Sequence, residues 1–289
     1  MFAELKHTLR RQRGQMIGWG IGLALYGLLM VYIYDSIAAI PGFAETIANY
    51  PKELMVFFGD MLAIATPKGY LDVYYFTYMP FVIGIFAAVA AAGLLVSDEE
   101  KGILDLVLAH PVSRTRLFWG RVLGFVIATV VILLISWLSW VLPSGSTGLD
   151  LTWLQFLRPF VPLFAVLLLF GMLALLLSLV LPSARLAATI SGGLIFANWL
   201  LLGLANMNED LQTVVEFTPL YYYQGGEAID GLEWAWLGGL LGMAAILALL
   251  SWWLFQRRDI RVGGEGGWRL PSLRARGKEA AAQEAQAHA

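Results

Sequence analysis

Ser97-Asp98-Glu99-Glu100-Lys101-Gly102-Ile103-Leu104-Asp105-Leu106-Val107-Leu108-Ala109-His110-Pro111-Val112-Ser113-Arg114 is a charged island between two long apolar runs, residues 74–96 and 117–142. Runs of that length are candidate bilayer spans, because crossing about 30 Å of hydrocarbon takes about 20 helical residues. Four acids, a glycine stop, a short apolar helix and Pro-Val-Ser-Arg therefore form a compact element just outside a membrane.

Outward from the island, the same pattern repeats. Apolar stretches at about 16–34, 74–96, 117–142, 161–181, 186–205 and 234–255 predict six transmembrane helices. Hydrophobic residues make up 59% of the 289 residues and charged ones 14%, against roughly 45–50% and about 25% in soluble domains. Mean hydropathy is +0.70. This is the composition of an all-α, multi-pass membrane protein. Net charge is −2, which gives no overall field for nucleic acid. There are no cysteines, so disulfides, thiolate metal sites and cysteine nucleophiles are excluded.

Residues 1–14 carry Lys6, Arg10, Arg11 and Arg13, with Phe2, Leu5 and Leu9 at helical spacing. This predicts an N-terminal helix lying at the membrane interface. Ser36-Ile37-Ala38 resembles a signal-peptidase site, but the apolar run before it exceeds the 7–15 residues or so of a signal core. Residues 15–261 form the six-helix domain, with loops at 35–72 and 206–233 on one side and a disordered tail predicted over 262–289. Pro80 predicts a kink near the start of the second span, and Pro143 opens the turn after the third. Basic residues accumulate on the cytoplasmic side of short loops. With both termini inside, 16 of the 19 Lys and Arg residues face the cytoplasm, and only Lys52, Lys68 and Arg158 lie outside.

Two readings of the island stay open. Ser97 with Glu100 matches a capping box that would start a new helix. Alternatively the second span continues to Lys101 and Gly102 stops it. Either way a short helix over residues 103–109 follows, closed by Pro111. It is apolar almost all round and needs something to bury it.

Arg114, Arg116 and Arg121 are read as leading into the third span, so the apolar cores of the spans are expected to hold no ionisable side chain. Such a group is the usual mark of an ion or proton pathway. Asn198, Ser191 and Ser136 are the polar residues that could line a pathway, or else bond neighbouring helices. Such a lining suits a hydrophobic or amphipathic cargo. An intramembrane enzyme would need carboxylate pairs or a histidine cluster at depth, and the spans supply neither.

The island resembles the permease subunits of ABC-2 type ABC transporters. In that family an acidic pair, Gly-Thr-Leu-Glu/Asp, a leucine run and Pro-Val-Ser-Arg join the second and third spans. Here those places hold residues 99–108 and then Pro111-Val112-Ser113-Arg114, with Ile103 for the usual threonine and Val107 for leucine. The resemblance extends to Trp19-Gly20, Gly120-Arg121, Pro219-Leu220-Tyr221-Tyr222-Tyr223 and Arg257-Arg258-Asp259.

The resemblance implies a type V, exporter-like half-transporter in the cytoplasmic (inner) membrane, with residues 98–114 as its coupling helix. Two permease subunits, as homo- or heterodimer, would sit on two ATP-binding subunits. Glu99, Glu100, Gly102, Asp105, Pro111, Ser113 and Arg114 would form the coupling contact. ATP and Mg would be held by the partner. This chain has no Gly-x-x-x-x-Gly-Lys-Ser/Thr loop to cradle phosphates, so it is expected to bind no cofactor and to carry no catalysis. A membrane scaffold or sensor that recruits a cytoplasmic partner through residues 98–114 is the alternative.

Overall fold

The computed structural model describes residues 1–41, 61–104 and 113–257. Residues 105–109 of the short helix expected over 103–109, and with them Asp105 and Pro111, lie outside the described residues, as do the 262–289 tail and residues 42–60 of the first loop. Among the described residues the chain is helical, and six helices are long and apolar enough to cross a membrane.

Helix α1, Phe2–Ala38, is unbroken over 37 residues, about 55 Å at 1.5 Å per residue. The sequence separates a 1–14 interfacial helix from a 16–34 span. The structure joins them, because the N-terminal turns pack on another helix instead of leaving the bundle. That partner is α5, Arg114–Ser144. The two run parallel: a methyl added at Gly120 would lie 2.8 Å from Glu4 Cβ, and one at Gly124 2.7 Å from Thr8 Cβ. One at Gly27 would strike Ser139 Oγ, and Gly148 donates its N–H to Asp35 Oδ1 at 2.7 Å. Small residues thus let two backbones approach closely, as spans do in lipid.

The second crossing differs most from its expected 74–96 bounds. It starts at α2, Pro67–Leu71, capped by Thr66, whose hydroxyl accepts from Gly69 N. A single wide turn, Asp72–Phe76, follows, in which Thr77 N reaches back to Asp72 O at 2.9 Å. Helix α3, Met79–Ala92, then begins with Pro80 in its first turn. There the missing N–H costs nothing, so the proline starts a helix and kinks none. After a break at Gly93–Leu95 comes α4, Val96–Glu100.

Helix α6, Trp153–Leu157, has a complete capping box from Thr152 and Gln155. It leads into α7, Phe160–Val180, then α8, Ala184–Ala205, and, after α9, Gln212–Val215, the last crossing α10, Trp234–Arg257. Pro143 opens no turn: it sits inside the final turn of α5, which runs on to Ser144. Helix α7 is the central post, packed against α3, α8 and α10. Gly171 lets the Phe125 ring of α5 close on it, and Gly84 admits Ile195.

The two ends differ in charge. Over the acidic end, residues 206–233 fold into short turns tied to the bundle. Asp72 accepts from Gly226 N at 2.7 Å beside Gly225, whose φ of +53° suits glycine. Arg158 Nη1 donates to Ile229 O at 3.0 Å, and Lys68 Nζ lies 2.6 and 2.7 Å from Glu227 and Asp230. Tyr223 OH donates to Phe76 O at 3.0 Å. Burial, helped by the Asp72 carboxylate, pushes that phenol well above its usual range, so it stays a donor.

Candidate functional site at the basic end

The other end carries Arg11, Arg114, Arg121 and Arg185, and here the second crossing breaks. The break frees the carbonyls of Gly93 and Leu94 from helix bonding. Each is taken by a guanidinium from another helix: Arg11 Nη2 donates to Gly93 O at 2.9 Å, and Arg121 Nη1 to Leu94 O at 2.6 Å. Asp98, on α4, neutralises both cations, with Oδ1 2.8 Å from Arg11 Nη1 and Oδ2 2.7 Å from Arg121 Nη1. Glu4 completes the group, 3.6 Å from Arg121 Nε.

Arg121 is 2% exposed and Asp98 6%. The absence of charge expected within the spans is therefore corrected: Arg121 lies two turns into α5, buried among helices. It is tolerable there because a buried charge can be held by a partner and satisfied hydrogen bonds.

Glycine ends α4 as expected. Gly102 has φ +67°, its N–H donates to Glu99 O at 2.9 Å, and Ile103 N donates to Asp98 O at 2.8 Å. That pair of bonds is the Schellman closure. The start of α4 follows neither reading: Leu95 occupies the cap position with no side-chain bond, so Ser97 and Glu100 form no capping box, and the span does not run through.

Of the residues assigned to coupling, Glu99 is buried at 6% exposure. Glu100 Oε1 accepts from Ala184 N at 2.8 Å, which puts a carboxylate on the first turn of α8, where helix N–H groups favour an anion. Arg114 Nη1 donates to Phe255 O and Gln256 O at 3.2 and 3.3 Å, closing the last turn of α10. Ser113 caps α5 by accepting from Arg116 N at 3.3 Å. The segment flanking 105–112 is thus tied to α1 and α5 through Asp98, to α8 through Glu100, and to α10 through Arg114.

Asn198, Ser191 and Ser136 are all buried and engaged between helices. Asn198 Oδ1 accepts from Leu220 N at 2.9 Å, Ser191 donates to Phe170 O at 3.1 Å, and Ser136 shares a 2.6 Å bond with Tyr75 OH. In this conformation they bond neighbouring elements, the second of the two roles the sequence allows. Among the described residues no cluster of histidines and carboxylates could hold a metal ion.

A family model described as ABC-2 family transporter protein matches residues 5–260, nearly the whole helical domain. The chain belongs to the ABC-2 transporter family. No curated protein matches it. As an ABC-2 permease it is a multi-pass membrane component of a transporter, and the α4 region occupies the place where the family motif was recognised. The Asp98–Arg11–Arg121 group at its root escaped the sequence reading. Its members are 87 and 23 positions apart along the chain, and only the parallel packing of α1 on α5 beside the α4 break brings them together.

Proposed function

We propose that this permease is the membrane subunit of an ATP-driven exporter for a hydrophobic or amphipathic cargo. ATP and Mg are bound by a separate ATP-binding subunit, present in two copies beneath a permease homo- or heterodimer. The basic end faces the cytoplasm of the cell membrane, supported by the segregation of Lys and Arg to that side.

One observation carries the mechanism: α4 follows a helix break whose two freed carbonyls are held by side chains and not by backbone. When the ATPase dimer closes, it pushes the segment that joins α4 to α5. Helix α4 then pivots about Gly93–Leu95, and Arg11 and Arg121 exchange Asp98 and carbonyl partners as α3 tilts. That is a two-state element biased by a ligand on the partner. Glu100 and Arg114 transmit the same push to α8 and α10.

The test is Asp98→Asn in proteoliposomes holding the permease and its ATPase. The asparagine keeps the shape but loses the charge that holds both arginines. Export should fall at least tenfold while ATP hydrolysis continues. Equal loss of both, or loss of neither, rules out this coupling role. A chain that binds its partner yet never stimulates export would instead support the scaffold alternative.

A further inference from the structure

Two cavities lie end to end between α1 and α3. The one nearer the basic end, about 470 Å³, is mixed, with His7, Arg11, Gln12 and Ser97 as well as Val89 and Leu94 among its walls. The other, about 690 Å³, is apolar, walled by Gly18, Trp19, Gly22 and Leu23 of α1 and by Met79 and Val82 of α3. Gly14 and Gln15 line both, so the two make one cleft. Each volume falls in the range of about 300–1,000 Å³ usual for ligand sites.

The cleft changes character where the bilayer does. Its mixed half is set among residues 7–15, and its apolar half begins where the uncharged run of α1 begins, near residue 16. From Gly14 to Tyr26 is twelve residues, about 18 Å along the helix. One leaflet contributes about half of the roughly 30 Å hydrocarbon layer. The apolar half ends at Tyr26, whose hydroxyl is already occupied by the Tyr74 carbonyl, so no unused polar group waits there. Gly18 and Gly22 leave open space where side chains would stand.

The mixed half offers both kinds of partner to a headgroup. Gln12 is 5% exposed and its Oε1 has no hydrogen-bond partner; Arg121 Nε makes no hydrogen bond either, with the Glu4 carboxylate 3.6 Å from it. The Gln12 amide and the Arg11 guanidinium line the same cavity, and together suit a group that is itself both hydroxylated and anionic. The surrounding helix adds Lys6, Arg10 and Arg13 against the single acid Glu4.

We propose that this cleft holds one anionic glycerophospholipid from the leaflet at the basic end, with an acyl chain along Gly18 and Gly22 and a hydroxylated phosphate headgroup beside Gln12 and Arg11. A lipid seated there fills the gap between α1 and α3 next to the helix break, so the membrane's anionic lipid content sets how firmly α1 holds the α4 root.

The experiment uses the full chain, purified, stripped of lipid, and offered phosphatidylglycerol or phosphatidylcholine, with bound lipid counted by native mass spectrometry. The wild-type chain should retain one phosphatidylglycerol and release phosphatidylcholine. Gly18→Leu should retain neither, and Gln12→Met should reduce phosphatidylglycerol to the phosphatidylcholine level. If Gly18→Leu does not fold, Gly22→Leu is read in its place. Equal retention of the two lipids by the wild type overturns the proposal. So does undiminished phosphatidylglycerol in the folded glycine variant, or a variant that only separates paired chains and so marks the face as a contact between copies.

Discussion

Asp98 holds two guanidiniums with one carboxylate, and the energetic consequence is lopsided. Removing it leaves Arg121, 2% exposed, without its closer counter-ion and with only Glu4, 3.6 Å from its Nε. Breaking a buried pair in this way costs about 3–5 kcal/mol. Asp98→Ala should therefore lower the unfolding midpoint of the purified chain strongly, whereas Glu233→Ala, at an exposed site, should change stability by no more than about 0.5 kcal/mol. Thermal unfolding in detergent checks both, and equal midpoints would mean that Asp98 carries no such weight. Neither Asp98 nor Arg121 stands out in the sequence. Asp98 is one of three adjacent acids, and Arg121 follows two other arginines that look like membrane-edge anchors. Charge alone does not say which acid turns inward; the three-dimensional position of the broken α3 does.

The glycines separate into two sets once the helices are placed. Gly120 and Gly124 let α5 touch α1 at Glu4 and Thr8, while Gly18 and Gly22, on the same α1, meet nothing within 4 Å. A leucine at Gly124 has no room and overpacks a tight contact, a class of change that costs about 1–3 kcal/mol or more. Gly124→Leu should lower the unfolding midpoint by several degrees and Gly18→Leu should leave it nearly unchanged, a contrast read directly by thermal unfolding. The six long helices were legible because bilayer thickness imposes a run of about 20 apolar residues on each. Their ends were legible to within a few residues for α7, α8 and α10. The second crossing was not: its wide turn at Asp72–Phe76 and the break at Gly93–Leu95 lie inside apolar sequence, where nothing local signals a lost backbone bond.

At the scale of the whole molecule, the two ends bear opposite charge and different construction. The acidic end is closed by the 206–233 turns pinned to Asp72, Lys68 and Arg158, and the basic end carries the α4 root. The proposed orientation places the basic end in the cytoplasm. A chain with no native cysteine makes the check simple. A cysteine at Asn208 should react with a membrane-impermeant maleimide in intact cells, and one at exposed Lys101 should not; the opposite pattern would invert the topology.

By itself the sequence determined that the chain is a six-span membrane protein, which end is basic, and that the 98–114 segment resembles the ABC-2 coupling element. Each of these depends on composition or spacing within one stretch, which hydrocarbon thickness and backbone sterics translate directly into structure. Tertiary structure alone decided that α1 continues through residues 1–14, that Glu100 and Arg114 cap other helices, and that Arg11, Asp98 and Arg121 meet at the helix break. Those contacts join residues far apart along the chain, and only the packing of α1 on α5, of α4 on α8 and of α5 on α10 creates them.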